Sequence, residues 1–321
     1  MKNLHFIALG VIFSAGSFLC IARRKPKRGS CQKKEFRPQL DKYMLPAKNK
    51  PITIFIHGGG KPISSLFTFP GFHESCPQGL VPYHSLFCSG CTLGKKVAEC
   101  LNDGDAEKFP MTAFYIFGWS GQLSFKHRED VGRQLYYIIT QFKNDPQYKD
   151  QPITLITHSH GGNAALQIGV EAAKHDDTRP LIDQLIIMGC PVVSISNDLV
   201  SSPIFNKKTI ILFSQSDAVQ RLDPQGLYPQ CASKKYCTPF WSGRRFEPSE
   251  HIIQAELKTN NRSQTGHLGF VTRKFLKHLP ELINMLNNPE ERKQFPIDSK
   301  GSLCVNFDTR RLVLEGCSRC R

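Results

Sequence analysis

The sequence predicts an α/β protein with a mostly parallel sheet and helices on both faces. Short runs of β-branched and aromatic residues alternate with longer stretches in which apolar residues recur at helical spacing. Each of these runs ends in a loop of small or polar residues. Strands that alternate with helices pair in parallel, because each helix returns the chain to the same end of the sheet.

The strands are predicted from short apolar runs. They cover residues 52–56, 113–117, 153–156, 185–188, 209–213 and 252–257. Helices are predicted around 93–101, over 129–142, over 163–174, and along the amphipathic stretch from Phe270 to Leu286. Near the C-terminus, residues 303–307 and 312–314 form a candidate hairpin.

Length and composition divide the chain into four regions. They are an apolar segment (1–22), a basic linker (23–50), the α/β domain (51–290) and a C-terminal tail (291–321). With 321 residues, 40% of them hydrophobic, the chain can bury a core that needs no disulfides. This composition excludes disordered, collagenous and coiled-coil proteins.

The N-terminal segment predicts a membrane anchor. Residues 4–22 carry no formal charge and are long enough as a helix to cross a bilayer. A basic cluster, Arg23 to Arg28, follows at once and would be drawn to anionic headgroups. The alternative is a signal peptide cleaved after Ala22, which would make the protein secreted or periplasmic. The side of the membrane stays open.

The basic charge belongs mainly to the N-terminus. Residues 1–50 hold 12 of the 42 Lys and Arg but 2 of the 27 Asp and Glu, and so contribute +10 of the net +15. The rest of the chain carries only +5. We therefore expect no nucleic-acid partner.

The 12 cysteines leave their chemistry open. Two pairs have the Cys-x-x-Cys spacing, Cys88 with Cys91 and Cys317 with Cys320. Four thiolates from two such pairs could bind a structural zinc, although these pairs lie far apart in the chain. Disulfides in an oxidising compartment and buried thiols are the other two interpretations.

The stretch THSHGGNAAL places Ser159 between a predicted strand and a predicted helix. A nucleophilic serine on such a sharp turn needs small residues two positions before and two after. Gly161 meets this requirement, whereas Thr157 stands where glycine is usual. The stretch resembles the nucleophile elbow of the α/β-hydrolase superfamily, particularly its lipases and esterases, and the resemblance covers about residues 51–287. The alternative role for Ser159 is a helix N-cap.

The resemblance implies an α/β-hydrolase fold and a set of catalytic roles. His57-Gly58-Gly59-Gly60 is similar to the oxyanion loop of lipases and esterases, and implies an oxyanion hole made by amides near Gly58 and Gly59 with that of His160. Asp217 stands where the family places its carboxylate. His267 is the predicted base, because it follows both other residues and lies in a loop.

Other residues are weaker candidates for the same roles. Asp223 is the fallback acid, and His251 and His278 are the other histidines that follow the serine and the acid in the chain. Ser120 is a second candidate nucleophile, but Gln122 two residues later is large for a tight turn.

Together these residues predict a serine hydrolase that cleaves a carboxylic ester through an acyl-enzyme, without metal or organic cofactor. Its partners would be an ester or lipid substrate and the membrane. His158 and His160 are interpreted as walls of the site, and Trp119 as an apolar contact for an acyl chain. The alternative is a catalytically inactive, membrane-tethered binding module, with zinc at the paired cysteines; Thr157 in place of glycine keeps this hypothesis open.

Overall fold

The computed structural model describes residues 45–58, 77–88, 91–205, 207–222, 246, 249–258, 266–298 and 301–306. Both the predicted membrane segment and the basic linker up to residue 44 lie outside these ranges. Within them, no helix combines the length and the apolar character needed to cross a bilayer.

The described strands form one eight-stranded sheet in the order β2-β3-β1-β4-β5-β6-β7-β8. The strands are β1 (Ile52–Ile56), β2 (Gly79–Pro82), β3 (Phe114–Gly118), β4 (Ile153–His158), β5 (Gln184–Met188), β6 (Thr209–Phe213), β7 (Ile252–Lys258) and β8 (Leu303–Asn306). All neighbours pair in parallel except β2, which runs antiparallel to β3 at one edge. The prediction of a mostly parallel sheet is confirmed.

Helices connect these strands. The longer ones are α1 (Thr92–Gly104), α2 (Phe125–Asn144), α3 (His160–Lys174) and α6 (Arg273–Asn287). Three short helices are α4 (Ser194–Asn197), α5 (Ala218–Leu222) and α7 (Pro289–Arg292). Short 3-10 turns cover Tyr83–Cys88, Met111–Ala113, Asp198–Ser201, Pro203–Phe205 and His267–Val271.

The sheet lies between two apolar cores. Helices α2 and α3 pack on each other over one face, and α1 packs on α6 over the other. Strands β1, β3, β4, β5 and β6 are buried throughout, as expected for parallel strands covered on both sides. This arrangement leaves the carboxyl edge of the sheet as the place where loops can assemble a site.

The tail contributes an edge strand. Residues 303–306 pair in parallel with β7, so this part of the predicted hairpin joins the main sheet. Residues 312–314, the predicted second strand, lie outside the described residues.

Candidate active site

Ser159 occupies a strained turn between β4 and α3. Its φ of 56° and ψ of −138° are a conformation that a serine rarely adopts. The backbone N–H of Ser159 donates a hydrogen bond to the carbonyl of Met188 at 2.9 Å, which ties the turn to the end of β5. The side chain makes no capping hydrogen bond to the helix. The geometry therefore gives no support to the N-cap role.

Thr157 fits the turn without glycine. It is fully buried in β4, and its hydroxyl donates to the carbonyl of Ile186 on β5 at 3.2 Å. The neighbouring strand thus satisfies the extra polar group, and the turn at Ser159 forms with threonine in this position.

The turn needs glycine at two other positions. A Cβ on Gly58 would lie 2.6 Å from the Cβ of Ser159, and a Cβ on Gly161 would lie 2.6 Å from the carbonyl oxygens of Ile56 and His57. The main chain after β1 therefore passes directly beside the serine. His160 is the first residue of α3 and directly follows the serine. Gly59, the other predicted oxyanion residue, lies outside the described residues.

Asp217 and His267 form a hydrogen-bonded pair at the carboxyl edge of the sheet. The Nδ1 atom of His267 lies 2.8 Å from Oδ2 of Asp217. The other carboxylate oxygen, Oδ1, accepts from the backbone N–H of Gln220 at 2.9 Å, in the first turn of α5. Asp217 is fully buried, whereas the His267 side chain is 13% exposed. A carboxylate only accepts, so Nδ1 carries the proton and Nε2 is the nitrogen able to take one.

His158 connects Ser159 with this pair. It directly precedes the serine, and its Nε2 lies 3.0 Å from the backbone carbonyl oxygen of His267. The two imidazole rings have centroids 4.8 Å apart. The predicted nucleophile is thus one residue away from a side chain that touches the predicted base. That Ser159, His267 and Asp217 work as a triad stays a prediction.

The weaker candidates for the catalytic roles do not join the Asp217–His267 pair in the described residues. His251 precedes β7 at the amino end of the strand, opposite the site, and pairs with Glu250. His278 lies on α6, 3.9 Å from Glu281. Ser120 is exposed in the loop after β3, and α2 begins only at residue 125. Asp223 lies outside the described residues.

A clamp that no sequence pattern predicts joins the loops after β1 and β3. The indole N–H of Trp119 donates to the carbonyl of His57 at 2.8 Å, and its backbone N–H donates to Nε2 of His57 at 3.4 Å. The Nδ1 atom of His57 then donates to the carbonyl of Gly58 at 2.8 Å. Trp119 is only 4% exposed, so it fixes the loop rather than offering a broad apolar surface. Burial lowers the pKa of His57 and keeps it neutral.

His160 is also held in one orientation. Arg128 and Asn163 both donate to its Nδ1, at 3.2 and 3.3 Å, so the ring proton lies on Nε2. Since His160 is 1% exposed, its side chain supports the turn from inside. The interpretation of His160 as a wall of the site stays a prediction.

In the part of the chain that the structure describes, the cysteines give no support to a zinc site. Cys91 is disulfide-bonded, and a disulfide sulfur is not the thiolate that zinc binds. In the described ranges no cluster of three or more metal-ligating side chains occurs. Cys317 and Cys320 lie outside those ranges.

No family model matches the chain, and no curated protein matches its sequence. Among solved structures, the chain is similar to an esterase from Pyrobaculum calidifontis, with 11% identity, a TM-score of 0.36, and coverage of 78% of this chain and 80% of the esterase. It is also similar to YbtT, a type II thioesterase of the yersiniabactin pathway, with 12% identity, a TM-score of 0.32, and coverage of 77% and 97%.

A further similarity is to lipase B of Aspergillus fumigatus, with 11% identity, a TM-score of 0.34, and coverage of 83% of this chain and 55% of the lipase. Similarities this distant give no information about the chemistry of the site, which we argue from its own geometry. The sheet has one antiparallel edge strand, the serine turn follows β4, and the loops after β6 and β7 supply an Asp–His pair. The described part of this chain is an α/β fold with a mostly parallel sheet and helices on both faces, as predicted.

Proposed function

We propose that this protein is a serine hydrolase that cleaves a carboxylic ester through an acyl-enzyme. The observation that carries the proposal is the 2.8 Å contact between His267 and the buried Asp217, at the edge of the sheet where Ser159 occupies a strained turn. A histidine held in one tautomer by a carboxylate is what activates a serine hydroxyl, which is otherwise a weak nucleophile.

The first half of the reaction forms a covalent intermediate. Ser159 Oγ attacks the ester carbonyl while Nε2 of His267 takes the hydroxyl proton. The tetrahedral intermediate then collapses, the bond to the alcohol oxygen breaks, and His267 protonates the departing alcohol. Asp217 keeps the imidazole oriented and stabilises its positive charge.

The second half releases the acid. Water attacks the acyl-enzyme, His267 takes a proton from the water, and that proton returns to Ser159 as its bond to the acyl group breaks. In both halves the amide of His160 and an amide near Gly58 or Gly59 would bind the oxyanion. One such donor contributes roughly 3 kcal/mol to stabilising the transition state.

Hydrolysis of p-nitrophenyl butyrate tests the proposal. We expect wild-type turnover and a loss of at least about 10³-fold in Ser159→Ala, because no acyl-enzyme can form. Ser120→Ala is the matched control and should keep wild-type rates. The proposal fails when folded wild type shows no turnover above buffer, which would favour the binding module, or when Ser120→Ala is the inactive variant.

We also propose that residues 4–22 attach the protein to a membrane, with the basic cluster 23–28 next to the headgroups. The disulfide at Cys91 favours placement of the folded body in an oxidising compartment, although the basic flank by itself would favour the cytosol. Alkaline carbonate extraction should leave the protein in the membrane pellet, and its N-terminus should be uncleaved. A soluble protein that begins near residue 23 would instead indicate a signal peptide.

A further inference from the structure

His158 makes a hydrogen bond that its place beside the nucleophile does not require. It is the last residue of β4 and is 4% exposed. Its Nε2 lies 3.0 Å from the backbone carbonyl oxygen of His267, and the two rings are tilted by 41° at a centroid distance of 4.8 Å. Because a carbonyl can only accept, Nε2 of His158 carries a proton and donates it.

The side chain of His158 is a neutral donor. Burial, and to a smaller extent the proximity of His267, His57 and Lys96, lower its pKa to about 3, against the hydrogen bond to the His267 carbonyl, which raises it. A cation at this place would repel the imidazolium that His267 becomes during proposed turnover. A neutral N–H holds the same carbonyl without that repulsion.

Two contacts on different parts of His267 determine where its Nε2 points. Asp217 holds the ring through Nδ1, and His158 holds the main chain through the carbonyl. The 3-10 turn that begins at His267 adds its own bond, from the N–H of Gly269 to the carbonyl of Gly266 at 2.7 Å. A ring fixed only through Nδ1 could still shift with its backbone, and a shift of about 1 Å is enough to cost a large part of catalysis.

We propose that His158 is a positioning residue, which fixes the backbone of the catalytic base through its Nε2–H and so aims His267 at Ser159. The inference rests on the proposed function. It assigns to the residue before the nucleophile a role in placing the base, through a contact between the loops after β4 and β7.

Three substitutions separate this role from simple packing. Gln places an amide N–H near the position of Nε2, so His158→Gln should keep the bond to the carbonyl. His158→Asn carries the same amide but is too short to reach, and His158→Leu fills the space without a donor. We expect His158→Leu and His158→Asn to lower kcat roughly 10- to 100-fold with KM within about twofold, and His158→Gln to stay within about threefold of wild type.

Turnover should be measured per active site, with sites titrated by a fluorophosphonate, so that a smaller folded fraction does not count as a slower enzyme. The inference is overturned when His158→Asn or His158→Leu keeps wild-type kcat per titrated site, or when His158→Gln is as slow as His158→Asn. Should His158→Leu fail to fold, the Gln and Asn variants decide the matter. Wild type without Ser159-dependent turnover overturns the proposed function and this inference together, whereas an active wild type with three equal variants overturns only the inference.

Discussion

At the scale of single residues, the site distinguishes its histidines by their partners. His57 and His158 each donate to a backbone carbonyl, and burial keeps both neutral. His267 donates to the Asp217 carboxylate, which can stabilise a positive charge on the ring. Only the ring with an anionic partner is suited to take and return a proton during a reaction.

Asp217→Asn should therefore remove most of the activity. An asparagine presents either an N–H or a carbonyl to Nδ1, so the tautomer that leaves Nε2 able to accept is no longer enforced. We expect kcat to fall by about 10³- to 10⁴-fold with little change in the melting temperature. Asp223→Asn is the matched control for the alternative acid and should keep wild-type kcat. The reverse pattern would assign the acid to Asp223.

The residue types of the site could be read from the sequence, because the chemistry demands them. A serine in a short strand-to-helix turn, a later Asp after a strand and a loop histidine after that indicated the pair that the structure brings into contact. The His158 contact and the Trp119 clamp could not be predicted. They join loops that are far apart in sequence, and no local sequence pattern predicts which carbonyl a buried N–H will donate to.

At the scale of elements, helix α3 lies close to the end of β1 because two residues of its first turn, Gly161 and Gly162, are glycines. Gly161 faces the carbonyl oxygens of Ile56 and His57, and Gly162 faces the side chain of Cys190. The N-terminus of the helix is thereby brought to the edge of the sheet where Ser159 lies. Packing and proposed catalysis thus depend on the same glycines.

Gly161→Ala should destabilise the fold through this contact. The added Cβ would lie 2.6 Å from two backbone oxygens that cannot move independently of the sheet. We expect a loss of about 1–3 kcal/mol in the free energy of unfolding, measured by urea denaturation. In the control Gly266→Ala, the new methyl group meets nothing within 4 Å and φ is −62°, so stability should be unchanged or slightly higher. Equal stabilities for both variants would contradict the packing argument.

The central strands were predictable, whereas the edge strand β2 was not. Strands β1 and β4 are rich in β-branched residues and have no exposed position, because both of their faces are buried. Strand β2 has only four residues, Gly79–Pro82, in a stretch rich in glycine and proline, and it exists because β3 offers an open edge. Such a strand is specified by its partner rather than by its own sequence.

At the scale of the whole molecule, two buried neutral histidines predict acid sensitivity. Both His57 and His158 have lowered pKa values in the folded protein. For His158, this means that between pH 6.5 and about pH 3 the side chain binds a proton in the unfolded chain but not in the folded one. The contribution of these two histidines to the free energy of unfolding is fully present above pH 6.5. Below that pH it falls, by up to about 1.4 kcal/mol per pH unit for each histidine. Hydrogen bonds from Arg179 lower the pKa of Asp177 to about 2. The stabilising effect of this carboxylate is therefore lost only in stronger acid, below its usual pKa of 3.8.

Urea denaturation at pH 7 and pH 5 measures this effect. The midpoint should be lower at pH 5, and His158→Gln should lose less stability between the two conditions than wild type, since glutamine does not titrate. A midpoint that rises at pH 5, or an equal loss in the variant, would contradict the neutral state assigned to His158.

Peptide mapping by mass spectrometry after treatment with a fluorophosphonate tests the proposed nucleophile most directly. The reagent forms a covalent bond only with a serine that a neighbouring base activates. We predict one adduct per chain, on Ser159, which disappears in Ser159→Ala and weakens strongly in Asp217→Asn. An adduct on Ser120, or a folded protein that carries none, would contradict the assignment of Ser159, His267 and Asp217 as a catalytic triad.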